Sequence, residues 1–98
     1  MRPKGEDGVN ILVVSEYFTR GGLETHIHSY YMRLRKEHRF TFAIGLFQSA
    51  LEFDSKDLYT GFHFGPGSSI ADFVEDVEEL VRLVRDRHID VIHAHPFF

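Results

Sequence analysis

The sequence predicts an α/β fold: a mainly parallel, open sheet with helices packed on it, in the order β-α-β-β-α-β. Two apolar runs, residues 9–15 and 40–47, are rich in branched or aromatic side chains and lack the alternation of a half-exposed strand. That pattern suits strands buried on both faces, as parallel sheets require. Two further segments, starting near Leu23 and Ile70, switch to the 3.6-residue period of amphipathic helices. Alternation of the two periods makes the helices crossovers between strands. Right-handed crossovers gather the carboxyl ends of parallel strands on one edge, and open α/β sheets bind ligands along that edge.

Each element carries its own signal. Residues 9–15 form the first strand, and a loop from Glu16 to Gly22 follows. Leu23, Ile27, Tyr30, Tyr31 and Leu34 share one helical stripe, and Arg33, Arg35, Lys36 and His38 close that helix at its negative dipole end. Residues 40–47 (FTFAIGLF) form the second strand, and the polar, unpatterned residues 48–60 a loop. A short third strand is expected at residues 61–65 (GFHFG), bounded by glycines and followed by the turn GPGSS. Ser68 or Ser69 caps the second helix, which runs to about His88 with Asp72 and Glu75 in its early turns. Its expected core stripe is Ile70, Phe73, Val74, Val77, Leu80, Val81 and Val84, with Glu78, Arg82 and Asp86 as an i, i+4 ladder facing water. Asp90 opens the last strand, DVIHAH. Residues 1–8 are expected to be a flexible N-terminus, and residues 9–98 one domain.

Bulk properties narrow the function. A chain of 98 residues makes one small domain, burying roughly 60–65% of the surface its unfolded form exposes. The net charge of −4 argues against nucleic acid held by bulk electrostatics. The absence of cysteine excludes disulfides and thiolate chemistry. No apolar run reaches the roughly 18–20 residues of a membrane span, and MRPKGEDG lacks the apolar core of a secretory signal. A cytoplasmic location is therefore expected. Arg33, Arg35, Lys36 and Arg39 could touch a membrane surface, but in a chain of net negative charge they read as a solvated face.

Candidate chemistry concentrates at two places. Gly21 and Gly22 stand between the first strand and its helix, where free N–H groups and the dipole favour an anion and the missing Cβ atoms allow close approach. The same glycines also suit a plain strand-to-helix turn. No third glycine completes G-x-G-x-x-G, and the second strand ends in Phe47-Gln48 rather than an acid, which excludes a nicotinamide dehydrogenase. Glu24 complements the dipole; aimed at a ligand, it suits a hydroxyl-bearing or cationic group. His26 and His28 lie two apart on a helix and diverge by about 200°, so one can look toward the ligand edge while the other packs. His93 and His95 lie two apart on a strand and share a face. They could orient substrate, exchange protons or simply end a strand; no carboxylate or cysteine at ligand spacing completes a metal site. His63 reads as packed or edge-exposed, and His38 and His88 as helix-end cations. No cofactor or resident metal is expected.

These residues carry a resemblance. Gly21-Gly22-Leu23-Glu24-Thr25-His26, following the strand VNILVVS, resembles the G-G-x-E-x-H loop and helix of retaining GT-B glycosyltransferases of family GT4 (glycosyl transferase group 1). Asp90-Val91-Ile92-His93-Ala94-His95 resembles that family's D-(hydrophobic)-(hydrophobic)-H-x-H strand end. Together the motifs and the pattern between them span almost the whole chain in the family's order. The resemblance implies a Rossmann-like N-terminal domain of an enzyme moving a sugar from a nucleotide-sugar donor to an acceptor. By position it implies that Gly21 and Gly22 face the donor phosphates, that Glu24 and His26 line the cleft, and that His93 and His95 lie near the acceptor. The family's C-terminal donor domain and the later N-terminal strands are not among these residues, so the expectation is a truncated domain, inactive alone. An open edge beyond the last strand, with Phe97-Phe98 after it, predicts self-association. Two other functions fit the residues: a non-catalytic module binding a phosphorylated ligand or protein partner, and a metal-dependent hydrolase using His93 and His95.

Overall fold

The computed structural model describes residues 8–18, 22–49, 51–64 and 68–94. The elements are β1 (Asn10–Phe18), α1 (Gly22–Leu34), β2 (Arg39–Phe47), a 3-10 turn (Ser55–Asp57), β3 (Leu58–Tyr59), α2 (Ile70–Asp86) and β4 (Val91–Ala94). The strands form one Rossmann-like sheet in the order β3-β2-β1-β4, every neighbouring pair parallel. The predicted α/β class is therefore present, with β1 at its centre.

The sheet is covered on both faces, which explains the continuous apolar run of β1. Val13, Phe40, Phe42 and Ile44 pack with Ile27 and Tyr31 of α1. Leu12, Val14 and Ala43 pack on the other face with Phe62 and Leu83 of α2. Aromatic rings fill the first layer: Tyr31 meets Phe40 and Phe42 edge-on at 5.3 and 5.2 Å, and Phe53 stacks on Tyr31 at 5.4 Å. Each buried side chain of this size stabilises the fold by about 1.5–3 kcal/mol, so Ile27→Ala in the centre of α1 would cost about 2–5 kcal/mol.

Local chemistry sets the ends of α2. The Ser69 hydroxyl accepts from the Asp72 N–H, and the Asp72 carboxylate accepts from the Ser69 N–H, both at 3.1 Å, a reciprocal capping box. At the other end His88 takes φ +52°. The Ile89 N–H bonds to the Val84 carbonyl at 3.0 Å and the His88 N–H to Arg85 at 3.4 Å, a Schellman closure made without glycine. Asn10 ties this end to β1: its side-chain amide donates to the carbonyls of Arg87 and His88 at 3.2 and 2.9 Å. The Asp90 carboxylate accepts from the Asn10 N–H at 2.8 Å, so β4 starts in register beside β1. His38, expected as a helix-end cation, lies four residues beyond α1 and instead accepts the Val9 N–H on Nδ1 at 3.0 Å.

The structure corrects several expectations. β1 runs through Phe18, so Glu16 is a buried strand residue rather than the start of a loop. The third strand lies at Leu58–Tyr59, paired with Phe42 and Ala43, and residues 61–64 of the expected segment form no strand. Gly61 at φ +87° turns the chain out of the ladder, and the His63 N–H goes to Asp76 instead of a strand. Most of the expected core stripe of α2 is exposed, including Ile70, Phe73, Val74, Val77 and Val81; Leu83 and Asp76 are the residues buried. The sheet-facing column is Asp76, Leu80, Leu83 and Arg87, at i, i+4, i+7 and i+11. Polar residues at both ends of that column hid it from hydrophobic periodicity. Arg82 pairs with Glu79 rather than Glu78. Arg39 is not simply solvated: it lies 3.7 Å from Asp57, which also pairs with Arg87.

Candidate ligand-binding edge

The adjacency of β1 and β4 assembles the candidate site. Val13 and His93 are register partners, so His93 stands on the α1 face of the sheet. Tyr30 of α1 meets it there, with its hydroxyl 2.8 Å from His93 Nδ1 and the two rings stacked at 5.7 Å. One helical turn back, His26 lies edge-on to Tyr30 at 5.6 Å. His26, Tyr30 and His93 thus form a continuous row from α1 to β4. Burial raises the Tyr30 phenol above its usual value of 10.0, which keeps it protonated at neutral pH. The Tyr30 hydroxyl and His93 Nδ1 share one hydrogen bond, whose direction follows the imidazole tautomer.

Glu24 sits in the first turn of α1, only 6% exposed, and its Oε2 has no hydrogen-bond partner among the described residues. A buried carboxyl oxygen without a donor costs stability, and such groups mark places where something other than packing was selected. Gly22, expected as the last loop residue, is the first residue of α1. Gly21, His95, Phe97, Phe98 and the turn at residues 65–67 lie outside the described residues. The two helix histidines diverge as their spacing requires. His28 points to the other side, where Nε2 lies 2.9 Å from the Glu52 carbonyl and the ring is edge-on to Phe53 at 5.1 Å. Of the residues singled out from sequence, the structure brings His26 and His93 together through Tyr30, and sets Glu24 on the same helix.

Tyr30 was expected only in the core stripe. The available signal was its spacing, four residues from His26, combined with a side chain that has an apolar body and a polar tip. A second polar cluster, around His63, also lay outside the expected functions. Both oxygens of Asp76 accept from the His63 N–H, at 3.1 and 2.9 Å, and Oδ1 lies 3.1 Å from the ring Nδ1. Asp72 lies 4.0 Å from Nε2. The hydrogen bond to Asp76, with the charges of Asp72, Asp76 and Glu75, raises His63 above its usual 6.5 against a smaller opposing effect of desolvation. Bonds to the Ser69 backbone and hydroxyl, with the nearby His63, hold Asp72 below its usual 3.8.

Cavity and chemistry do not coincide. A cavity of ≈ 490 Å³ lies at the opposite end of the sheet, lined by Tyr31, Arg35, His38, Arg39, Lys56 and Asp57 among others. Its position at the amino end of β2 removes it from Glu24 and His93, and Asp57 already pairs with Arg39 inside it. Side-chain geometry, rather than a concavity, marks the edge. Among the described residues no group of three potential metal ligands occurs, and no helix is long and apolar enough to cross a membrane. In comparisons with protein-family models, curated proteins and solved structures, nothing matches this chain.

Proposed function

We propose that the chain is the N-terminal, acceptor-side part of a retaining GT-B glycosyltransferase of GT4 type, which moves a sugar from a nucleotide-sugar donor to an acceptor. The observation that carries this reading is the parallel pairing of β1 with β4, which sets the segments bearing G-G-x-E-x-H and D-V-I-H-x-H side by side. In this reading the backbone at Gly21 and Gly22 faces the donor phosphates, where helix-start N–H groups suit an anion. Glu24 offers its unpartnered oxygen to a sugar hydroxyl, a better match than a phosphate, which it would repel. His93, oriented by Tyr30, and His26 beside it line the acceptor side. None of these groups supplies the donor half of a transferase site, so the 98 residues alone bind but do not turn over.

The test uses the reading frame that contains these residues, expressed with whatever follows codon 98 and assayed for transfer from radiolabelled nucleotide sugars to glycan and glycolipid acceptors. Transfer is expected, with Glu24→Gln and His93→Ala lowering kcat/KM by about 10–100-fold, the range of a lost hydrogen bond to a charged or oriented group. Turnover of a nucleotide sugar by the 98-residue chain would contradict the proposed division of labour. A stop codon after Phe98, together with unchanged Tyr30 and His93 NMR signals in the presence of saccharides, would sink the reading altogether.

A further inference from the structure

The outward face of α2 has the character of a core without a cover. Ile70 is 84% exposed and Phe73 64%, and Val74, Val77 and Val81 each leave two fifths or more of their surface in water. Beside them on the same side of the sheet, Ile92 of β4 is about half exposed. Val77, Leu80, Val81 and Val84 wall a groove of ≈ 330 Å³ whose floor includes Ile92. β4 has β1 on one side and no strand on the other among the described residues. Single exposed apolar residues need no explanation, but a contiguous apolar face next to an open strand edge does.

We infer that a second copy of the chain covers this face, about a two-fold axis normal to the sheet, with β4 pairing antiparallel to its mate and the two α2 helices crossing antiparallel above the seam. Area is the first argument. The exposed apolar residues of α2, with Ile92 of β4, present roughly 600 Å² together, the lower end of what each partner contributes to a specific interface. Charge is the second, and it selects the partner. Asp72, Glu75, Asp76, Glu78 and Glu79 crowd residues 70–79 of α2, whereas Arg82 and Arg85 lie in residues 80–86, where Asp86 alone is acidic. Glu78 and Arg85 are seven residues apart and flank the same margin of the apolar stripe. The proposed two-fold keeps that margin on one side, so Glu78 faces Arg85 of the second copy, and the pair occurs twice. A parallel arrangement would instead set acid against acid. Arg85 also lies 3.7 Å from Asp86, an exposed contact that exchanges at little cost. An isologous interface demands this kind of self-complementary surface. The inference does not rest on the glycosyltransferase reading, because the α2 face it covers lies opposite the α1 face on which Tyr30 meets His93.

Sedimentation equilibrium on the 98-residue chain tests the arrangement. A dimer is expected in the micromolar range. Val77→Asp and Val81→Asp alter side chains that already face water, so circular dichroism stays native while the association constant falls at least about tenfold. Glu78→Arg should weaken the dimer by about tenfold, and adding Arg85→Glu should restore it. A monomer at roughly 0.5 mM, an open-ended polymer, or a dimer indifferent to the charge swap would each overturn the inference. Monomeric behaviour would assign the face to a different protein or to another segment, while leaving the saccharide-binding test unaffected.

Discussion

Replacing Asp76 by alanine should detach residues 61–64 from α2. Asp76 is 7% exposed, and its two oxygens lie 3.1 and 2.9 Å from the His63 backbone nitrogen. A backbone N–H held by a carboxylate in so covered a place contributes about 1.5–3 kcal/mol. The neighbouring Phe62 fills the second core layer and stacks on Phe64 at 4.9 Å, so loosening the segment also loosens that layer. The expected loss is about 2–3 kcal/mol, a large share of the marginal stability of a small domain. With a urea m-value of about 1 kcal/mol/M for this size, the midpoint should fall by about 2 M at unchanged slope. Asp76→Asn keeps one acceptor oxygen and should cost about 1 kcal/mol. His63→Ala keeps the backbone N–H and should cost clearly less than Asp76→Ala. Equal losses from those two variants, or a loss below about 0.5 kcal/mol for Asp76→Ala, would refute the claim that the backbone bond anchors the segment.

Three further expectations follow from the same geometry. The pKa of His63 is raised, so its contribution is present below pH 6.5 and lost as pH rises through the higher folded value; that of Asp72 is lowered, so its contribution is present above pH 3.8 and lost as pH falls through the lower folded value. Stability from this cluster should therefore peak between those two values, and Asp76→Asn should flatten the alkaline arm in urea titrations run across pH. Gly45→Ala should destabilise by about 1–3 kcal/mol, because its Cβ would stand 2.6 Å from the Glu16 carbonyl and 3.3 Å from that of Phe62, both backbone atoms unable to swing away; a thermal midpoint equal to that of the parent would count against it. His88→Gly should stabilise by a few tenths to about 1 kcal/mol, since it relieves a left-handed residue at the Schellman closure at the cost of added unfolded-state entropy. A loss of stability in calorimetry would show that the His88 side chain makes a compensating contact.

β1, β2 and α1 were legible because their burial is complete on one or both faces. In β1, Leu12, Val13 and Val14 are all buried, on alternating sides of the sheet, and only a sheet covered twice makes such a run favourable. The start of α2 was legible for a different reason: Ser69 and Asp72 cap it through bonds three residues apart, a wholly local device. The facing of α2 was not legible, because hydrophobicity reports how apolar a stripe is and not which neighbour it meets. The more apolar stripe points outward, and a column ending in Asp76 and Arg87 meets the sheet. The third strand was misplaced for a related reason. Two residues suffice for β3 once β2 offers its edge, while the glycine-bounded aromatic segment is held by a carboxylate thirteen residues away.

The same division runs through the candidate site. Gly21, Gly22, Glu24, His26, His93 and His95 stood out by residue type and spacing, and the divergence of His26 from His28 followed from helical geometry alone. Periodicity also determined the α/β class, since a period of two or a continuous apolar run cannot be exchanged for 3.6 without exposing the core. Tertiary structure alone decided that β4 lies beside β1, which brings His93 against Tyr30 across the sheet from a distant part of the chain. It likewise decided that Glu24 is buried with an unpartnered oxygen, and that an apolar face of α2 is turned to water. Local sequence encodes the direction in which each side chain leaves its own element. What stands opposite that side chain depends on strand order and helix rotation, which are settled only when all the elements pack at once.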